Sequence, residues 1–145
     1  HVQLEGLLMP VGDWLYRLSQ GENFEIKTKK GFQIGVEIFV PTHFAKSKDR
    51  EIIEIYRDLP IFFKKRTNLE GIHIEDIKLV DGVWRVAGES GSLLVVTGSG
   101  NTVEEARHQA YARIKNIMIQ NMFYRTDIGS PWRVDSDKLH TWGYL

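Results

Sequence analysis

The sequence predicts an α+β domain in which an antiparallel sheet carries one well-formed helix. Three observations predict it. The apolar run from Leu93 to Thr97 reads as a central strand covered on both faces. Asp81-Gly82, set between two apolar runs, suits a two-residue hairpin turn because both residues tolerate positive φ. Thr102 and Glu105 form a capping box ahead of Val103, Ala106, Ala110, Ile114 and Ile117, which share one helical face.

The other elements follow along the chain. Leu4, Leu7, Leu8, Val11, Trp14, Leu15 and Leu18 recur at spacings of three and four, an amphipathic face. A proline inside a helix clashes with the preceding turn, so a new helix is expected to start near Pro10 or Asp13. Gly21-Glu22-Asn23 ends it. Phe24 to Lys30 alternates apolar and charged residues, the pattern of a half-buried strand or an extended arm. Phe32 to Val40 reads as a strand with Ile34, Val36, Ile38 and Val40 on one face. Pro41 stops it, having no N–H to give the ladder. A short helix is expected within Asp49 to Tyr56, and Leu59 to Phe63 is a short apolar run. Ile72 to Val80 and Val83 to Ala87 form the hairpin arms. Gly88-Glu89-Ser90-Gly91 turns into the central strand. After Asn121 the chain reads as irregular. Its last stretch, Ser130 to Leu145, carries Trp132 and Trp142 and is expected to dock, because exposed rings favour burial.

Composition narrows the function classes. The 145 residues suit one domain. Nineteen basic and nineteen acidic side chains cancel, which argues against nucleic acid or an anionic membrane as partner while leaving room for a local patch. Without cysteine there are no disulfides, thiol nucleophiles or thiolate metal sites. No apolar run approaches the ~20 residues that span a bilayer, and a cytoplasmic protein is expected.

No motif carries chemistry alone. Gly98-Ser99-Gly100 precedes a helix whose free amides suit an anion. Its spacing matches neither a P-loop nor GxGxxG, and the capping box already serves the amides. The five histidines show no metal-ligand spacing, and His73 reads as a packed strand residue. There is no GxSxG elbow, and Asp76, Asp81 and Asp127 are too scattered for an acid–base pair. Lys64-Lys65-Arg66 reads as a solvated loop. Within Arg125-Thr126-Asp127-Ile128-Gly129, Arg125 and Asp127 are expected to tie the segment to the core through charge-assisted hydrogen bonds.

One resemblance adds chemistry. Val96-Thr97-Gly98, Gly100, Thr102, Glu105-Ala106, Ala110-Tyr111, Ile117, Phe123-Tyr124-Arg125 and Asp127-Ile128-Gly129 resemble the C-terminal domain of phosphoribosylamine–glycine ligase, an ATP-grasp enzyme of purine biosynthesis. The similarity is loose from Gly31 and tight from Val80. It implies a barrel-sandwich-like fold over residues 24–129. Residues 1–23 would be a helical segment trailing an ATP-grasp core that lies outside this sequence. Residues 130–145 would be an added tail. The first residue is His1, and with this resemblance we expect a piece of a longer polypeptide. The resemblance implies that this domain completes a substrate cleft and supplies no catalytic residue. ATP and magnesium would belong to the parent ligase, with no cofactor in this fragment. Its partner would be an ATP-grasp domain in cis or in trans, with a second copy as a further candidate. Lys78 and Arg125 are the expected contacts to an anionic substrate; Thr102, Glu105, Asp127 and Gly129 are structural.

Three departures from the family pattern point to altered substrate binding. Ser90-Gly91-Ser92 stands where the family has two glycines and an arginine. Ile74-Glu75-Asp76-Ile77-Lys78 replaces an Ala-Gly-Thr-Lys loop. Pro41-Thr42-His43-Phe44-Ala45 replaces a glycine-rich loop whose backbone could approach a phosphate. The alternative is a non-catalytic interaction module that binds a protein through Trp132 and Trp142.

Overall fold

The central strand, β6 (Ser92–Gly100), lies between β1 (Phe32–Phe39) and β3 (Ile72–Ile74) in a three-stranded antiparallel sheet. The structure, a computed structural model, describes residues 1–44, 50–65, 69–88 and 90–144. Leu93, Leu94, Val96 and Thr97 are fully buried, as expected for a strand covered on both sides. Ile34, Val36 and Ile38 of β1 stand opposite Gly98, Val96 and Leu94. These residues share the face on which α4 (Val103–Ile114) packs. Gly98 sets how closely α4 approaches, because a Cβ there would meet the Ala106 carbonyl oxygen at 2.2 Å.

The capping box opens α4 as expected. The Glu105 amide donates to Thr102 Oγ1 at 3.1 Å, and Asn101 and Thr102 amides donate to Glu105 Oε2 at 2.7 and 3.3 Å. Thr102→Ala should lower stability by about 1 kcal/mol, read from the midpoint of a urea melt. An unchanged midpoint would show that the cap contributes nothing. The helix ends sooner than the periodicity suggests. Ile117 lies in β7 (Ile117–Met118), not on the helix. Lys64 Nζ donates to the Lys115 carbonyl at 2.8 Å, and Asn116 Oδ1 accepts from the Lys65 amide at 2.7 Å, drawing the chain toward β2 (Pro60–Phe63). Arg66, the last residue of that basic run, lies outside the described residues.

The second sheet has the order β4-β5-β2-β7, with β4 (Ile77–Val80) and β5 (Val83–Val86) joined by the expected hairpin. Asp81 and Gly82 both have positive φ, 50° and 76°. Ile72 to Val80 is not one strand. It divides at Glu75-Asp76, which leaves β3 in the first sheet and β4 in the second. Among the described residues there is no closed barrel.

The ends of the chain differ most from expectation. At the N-terminus, α1 (Val2–Glu5) and α2 (Val11–Ser19) break at Pro10, as the sequence indicates, but neither holds a fully buried residue. Phe24 to Lys30 is an extended arm, held by a single bridge from Thr28 to Leu7 and by the Arg17 guanidinium 5.5 Å from the Phe24 ring centre. A 3-10 turn at Pro41–Phe44 leads to α3 (Arg50–Tyr56), while Ala45 and Asp49 lie outside the described residues. The stretch from Ser130 holds a helix that periodicity did not suggest, α5 (Trp132–Thr141). Trp132 meets Phe32 edge-on at 5.1 Å, so the tail docks on the domain through one tryptophan. Trp142 stays exposed. Leu145 lies outside the described residues.

Candidate functional site

The three divergent loops meet at one end of the first sheet. The Val40 amide donates to the Gly91 carbonyl at 3.0 Å. A Cβ on Gly91, whose φ is 72°, would meet the His43 amide nitrogen and Thr42 Oγ1 at 2.3 Å. This position therefore demands glycine twice over, for conformation and for space. Thr42 is buried, and its hydroxyl has no hydrogen-bond partner among the described residues.

Asp76 organises this cluster. It is buried, and its Oδ2 accepts from the Ser90 and Gly91 amides at 2.6 and 2.8 Å. Two adjacent amides aimed at one point suit an anion. Here a side chain of the same domain fills that place. Beside it, the Ser92 hydroxyl contacts Glu37 Oε1 and lies 2.8 Å from Glu75 Oε2. His1 Nε2 is 3.4 Å from Glu75, His73 Nε2 is 2.9 Å from Glu5, and the two imidazoles stack at 4.7 Å. His73 is thus a networked residue rather than a merely packed one. On the loop's other flank, Phe44 stacks on Phe123 at 5.3 Å and Phe123 on Phe39 at 5.6 Å. Chemically, the cluster attracts cations and hydrogen-bond donors, and its anion-binding amides are occupied by Asp76. Glu89, in the same turn, lies outside the described residues.

Lys78 and Arg125 fall on different elements and bind different carboxylates. Lys78 Nζ lies 2.7 Å from Asp58 Oδ1. That hydrogen bond holds the Asp58 carboxyl below its ordinary value, with Arg85 and Arg57 adding attraction. Arg125 is exposed and pairs in bidentate fashion with Asp127, at 2.9 and 2.7 Å. The contact lowers the Asp127 carboxyl and raises the Arg125 guanidinium. A lowered carboxyl contributes above the ordinary carboxylate range, and the contribution fades as pH falls through the lowered value. Exposure keeps it small.

The pair does not tie its segment to the core, contrary to expectation. Residues of α4 do so instead. Tyr111 Oη donates to the Arg125 carbonyl at 2.9 Å, and Arg107 donates to the carbonyls of Ile128 and Thr126. Gly129, with φ 76°, lies against Ile34 and Val103, where a Cβ would meet their side chains at 2.8 and 3.1 Å. Arg107, Asp76 and the Glu37–Ser92–Glu75 group carry no signal in sequence spacing. Residues 37, 75 and 92 meet only because β1, β3 and β6 are neighbours.

Among the described residues, no three His, Cys, Asp or Glu side chains are placed together to hold a metal ion. At Gly98-Ser99-Gly100 the Ser99 amide donates to Gln109 Oε1 at 2.8 Å, and Glu105 Oε2 accepts from the Asn101 and Thr102 amides.

The architecture is that of a small α+β domain with a polar loop cluster at one end of its central sheet. The phosphoribosylglycinamide synthetase C-domain family matches residues 57–131, more than half of the chain. The chain belongs to this family. Phosphoribosylamine–glycine ligase of Rhizobium meliloti (strain 1021) is 49% identical over 43 residues, covering 30% of this chain and 10% of the relative. That of Caulobacter vibrioides is 43% identical over 49 residues, covering 34% and 11%. The match therefore spans about a tenth of these curated relatives. The crystal structure of phosphoribosylamine–glycine ligase from Thermotoga maritima superposes with a TM-score of 0.59 at 23% identity, covering 78% of this chain and 26% of that one. At that identity the likeness concerns the fold.

Proposed function

We propose that this chain works as the C-terminal portion of a phosphoribosylamine–glycine ligase-like ATP-grasp enzyme in the cytoplasm. The observation that carries this reading is the family match over residues 57–131. The domain completes one side of the substrate cleft, and an ATP-grasp core, in cis or in trans, binds ATP and magnesium and forms the carbon–nitrogen bond. In this reading residues 1–23 lead out of the core, 24–129 form the cleft wall and 130–145 are an addition.

The apolar face of the N-terminal segment supports a docked core. Leu8, Leu15 and Leu18 are 59%, 52% and 48% exposed, although α2 carries a strong apolar stripe. A second copy is the other partner this face would suit. Lys78 and Arg125 serve an anionic substrate by exchanging Asp58 and Asp127 for it. With Asp76 on the loop amides, the substrate's phosphate is held outside the loop cluster. Among the described residues, no helix is long and apolar enough to cross a membrane.

The test joins this chain to the ATP-grasp portion of the Caulobacter ligase in place of that enzyme's own C domain. The expected result is glycine-dependent ADP release with phosphoribosylamine, reduced about tenfold or more by Leu15→Asp, which charges the docking face. A chimera that folds, binds ATP and releases no ADP would overturn the reading.

A further inference from the structure

A second concave site lies apart from the loop cluster, where the C-terminal end of α4 meets the end of β2. The cleft measures about 430 Å³, within the range of small-molecule pockets. Lys64, Lys65, Arg113 and Lys115 line it, with Glu70 the one carboxylate among the lining residues. In a chain whose nineteen basic and nineteen acidic side chains cancel, this is a local excess of positive charge.

Two of the four cations have structural work. Arg113 donates to the Thr97 carbonyl at 2.7 Å and pairs with Glu70 at 3.2 Å. Lys64 donates to the Lys115 carbonyl at 2.8 Å. The carbonyl end of a helix carries about half a negative charge, so it accounts for one ammonium, and Lys64 supplies it. The side chains of Lys65 and Lys115 have no hydrogen-bond or ion-pair partner among the described residues.

We propose that this cleft binds a phosphate monoester of nucleotide size. Lys65 and Lys115 offer ammonium groups unpaired among the described residues, and Lys64 keeps two of its three N–H donors, the charge-assisted set that a phosphate dianion accepts. A bare phosphate would leave most of the cleft empty. The methyl of Ala112 and the lysine stems form a wall for the organic part. This proposal does not depend on the ligase reading.

The test is calorimetric titration of the full chain with AMP and with inorganic phosphate at low and physiological salt. AMP should bind, and inorganic phosphate should bind more weakly. Replacing Lys65 and Lys115 together by alanine should weaken AMP about tenfold or more, since each removes a hydrogen bond to a charged group. Ala112→Glu should do the same by adding a carboxylate to the exposed wall, without removing any contact. Lys29→Ala, outside the cleft, should change nothing. Unchanged melting temperatures would show that the variants are folded. The proposal falls if wild type binds neither ligand at millimolar concentration, or if the folded double variant and Ala112→Glu bind AMP as wild type does. It also falls if a single-stranded RNA oligomer binds about a hundred times tighter than AMP with steep salt dependence, which would mark a polyanion track.

Discussion

Leu94→Ala should lower the unfolding free energy by about 3–4 kcal/mol, a large part of the ~5–15 kcal/mol that holds a domain of this kind together. Leu94 is fully buried at the centre of the first sheet, opposite Ile38 on one neighbouring strand and Ile74 on the other. Truncation removes apolar contact on the face that α4 covers and leaves a cavity that three hydrogen-bonded strands cannot easily close. Denaturant titration should show a lower midpoint with an unchanged slope. A loss below about 1 kcal/mol would mean that the strand is not central.

Gly98→Ala should be about as damaging, near 3 kcal/mol, although it only adds a methyl group. The new Cβ would meet the Ala106 carbonyl oxygen at 2.2 Å and the Ala110 amide nitrogen at 2.6 Å. Both are backbone atoms, so no rotamer change relieves the clash and α4 has to move off the sheet. Ala110→Gly should fail to rescue the variant for the same reason. Gly12→Ala is the contrasting case. Beyond its chain neighbours and its own helix backbone, no atom of the described residues lies within 4 Å of a Cβ there, and the residue sits inside α2, so stability should hold or rise slightly. Thermal melts of the set separate the two effects. If Gly98→Ala melts with wild type, the close helix–sheet contact is not rigid.

The sequence by itself determined the elements whose signals are local. The capping box needs only Thr102 and Glu105 at the right spacing, and the hairpin needs only Asp81-Gly82 between apolar arms. The central strand was legible because both of its faces are covered, which leaves a continuous apolar run. The family was legible from the strand–turn–helix order that ends in Asp127-Ile128-Gly129. Tertiary structure decided the rest, for identifiable reasons. Ile117 continues the helical period but leaves the helix because Lys64 and Asn116 bind the chain to β2. Ile72 to Val80 carries one apolar pattern, yet Glu75 and Asp76 turn away to Ser92 and the loop amides and divide it between two sheets. Lys78 carries no mark in one dimension of Asp58, which it meets in three, while Arg125 turns to Asp127 two residues on rather than to the core. The filled loop amides and the basic cleft depend on residues far apart in sequence, and distance along a chain carries no record of which charges will face one another.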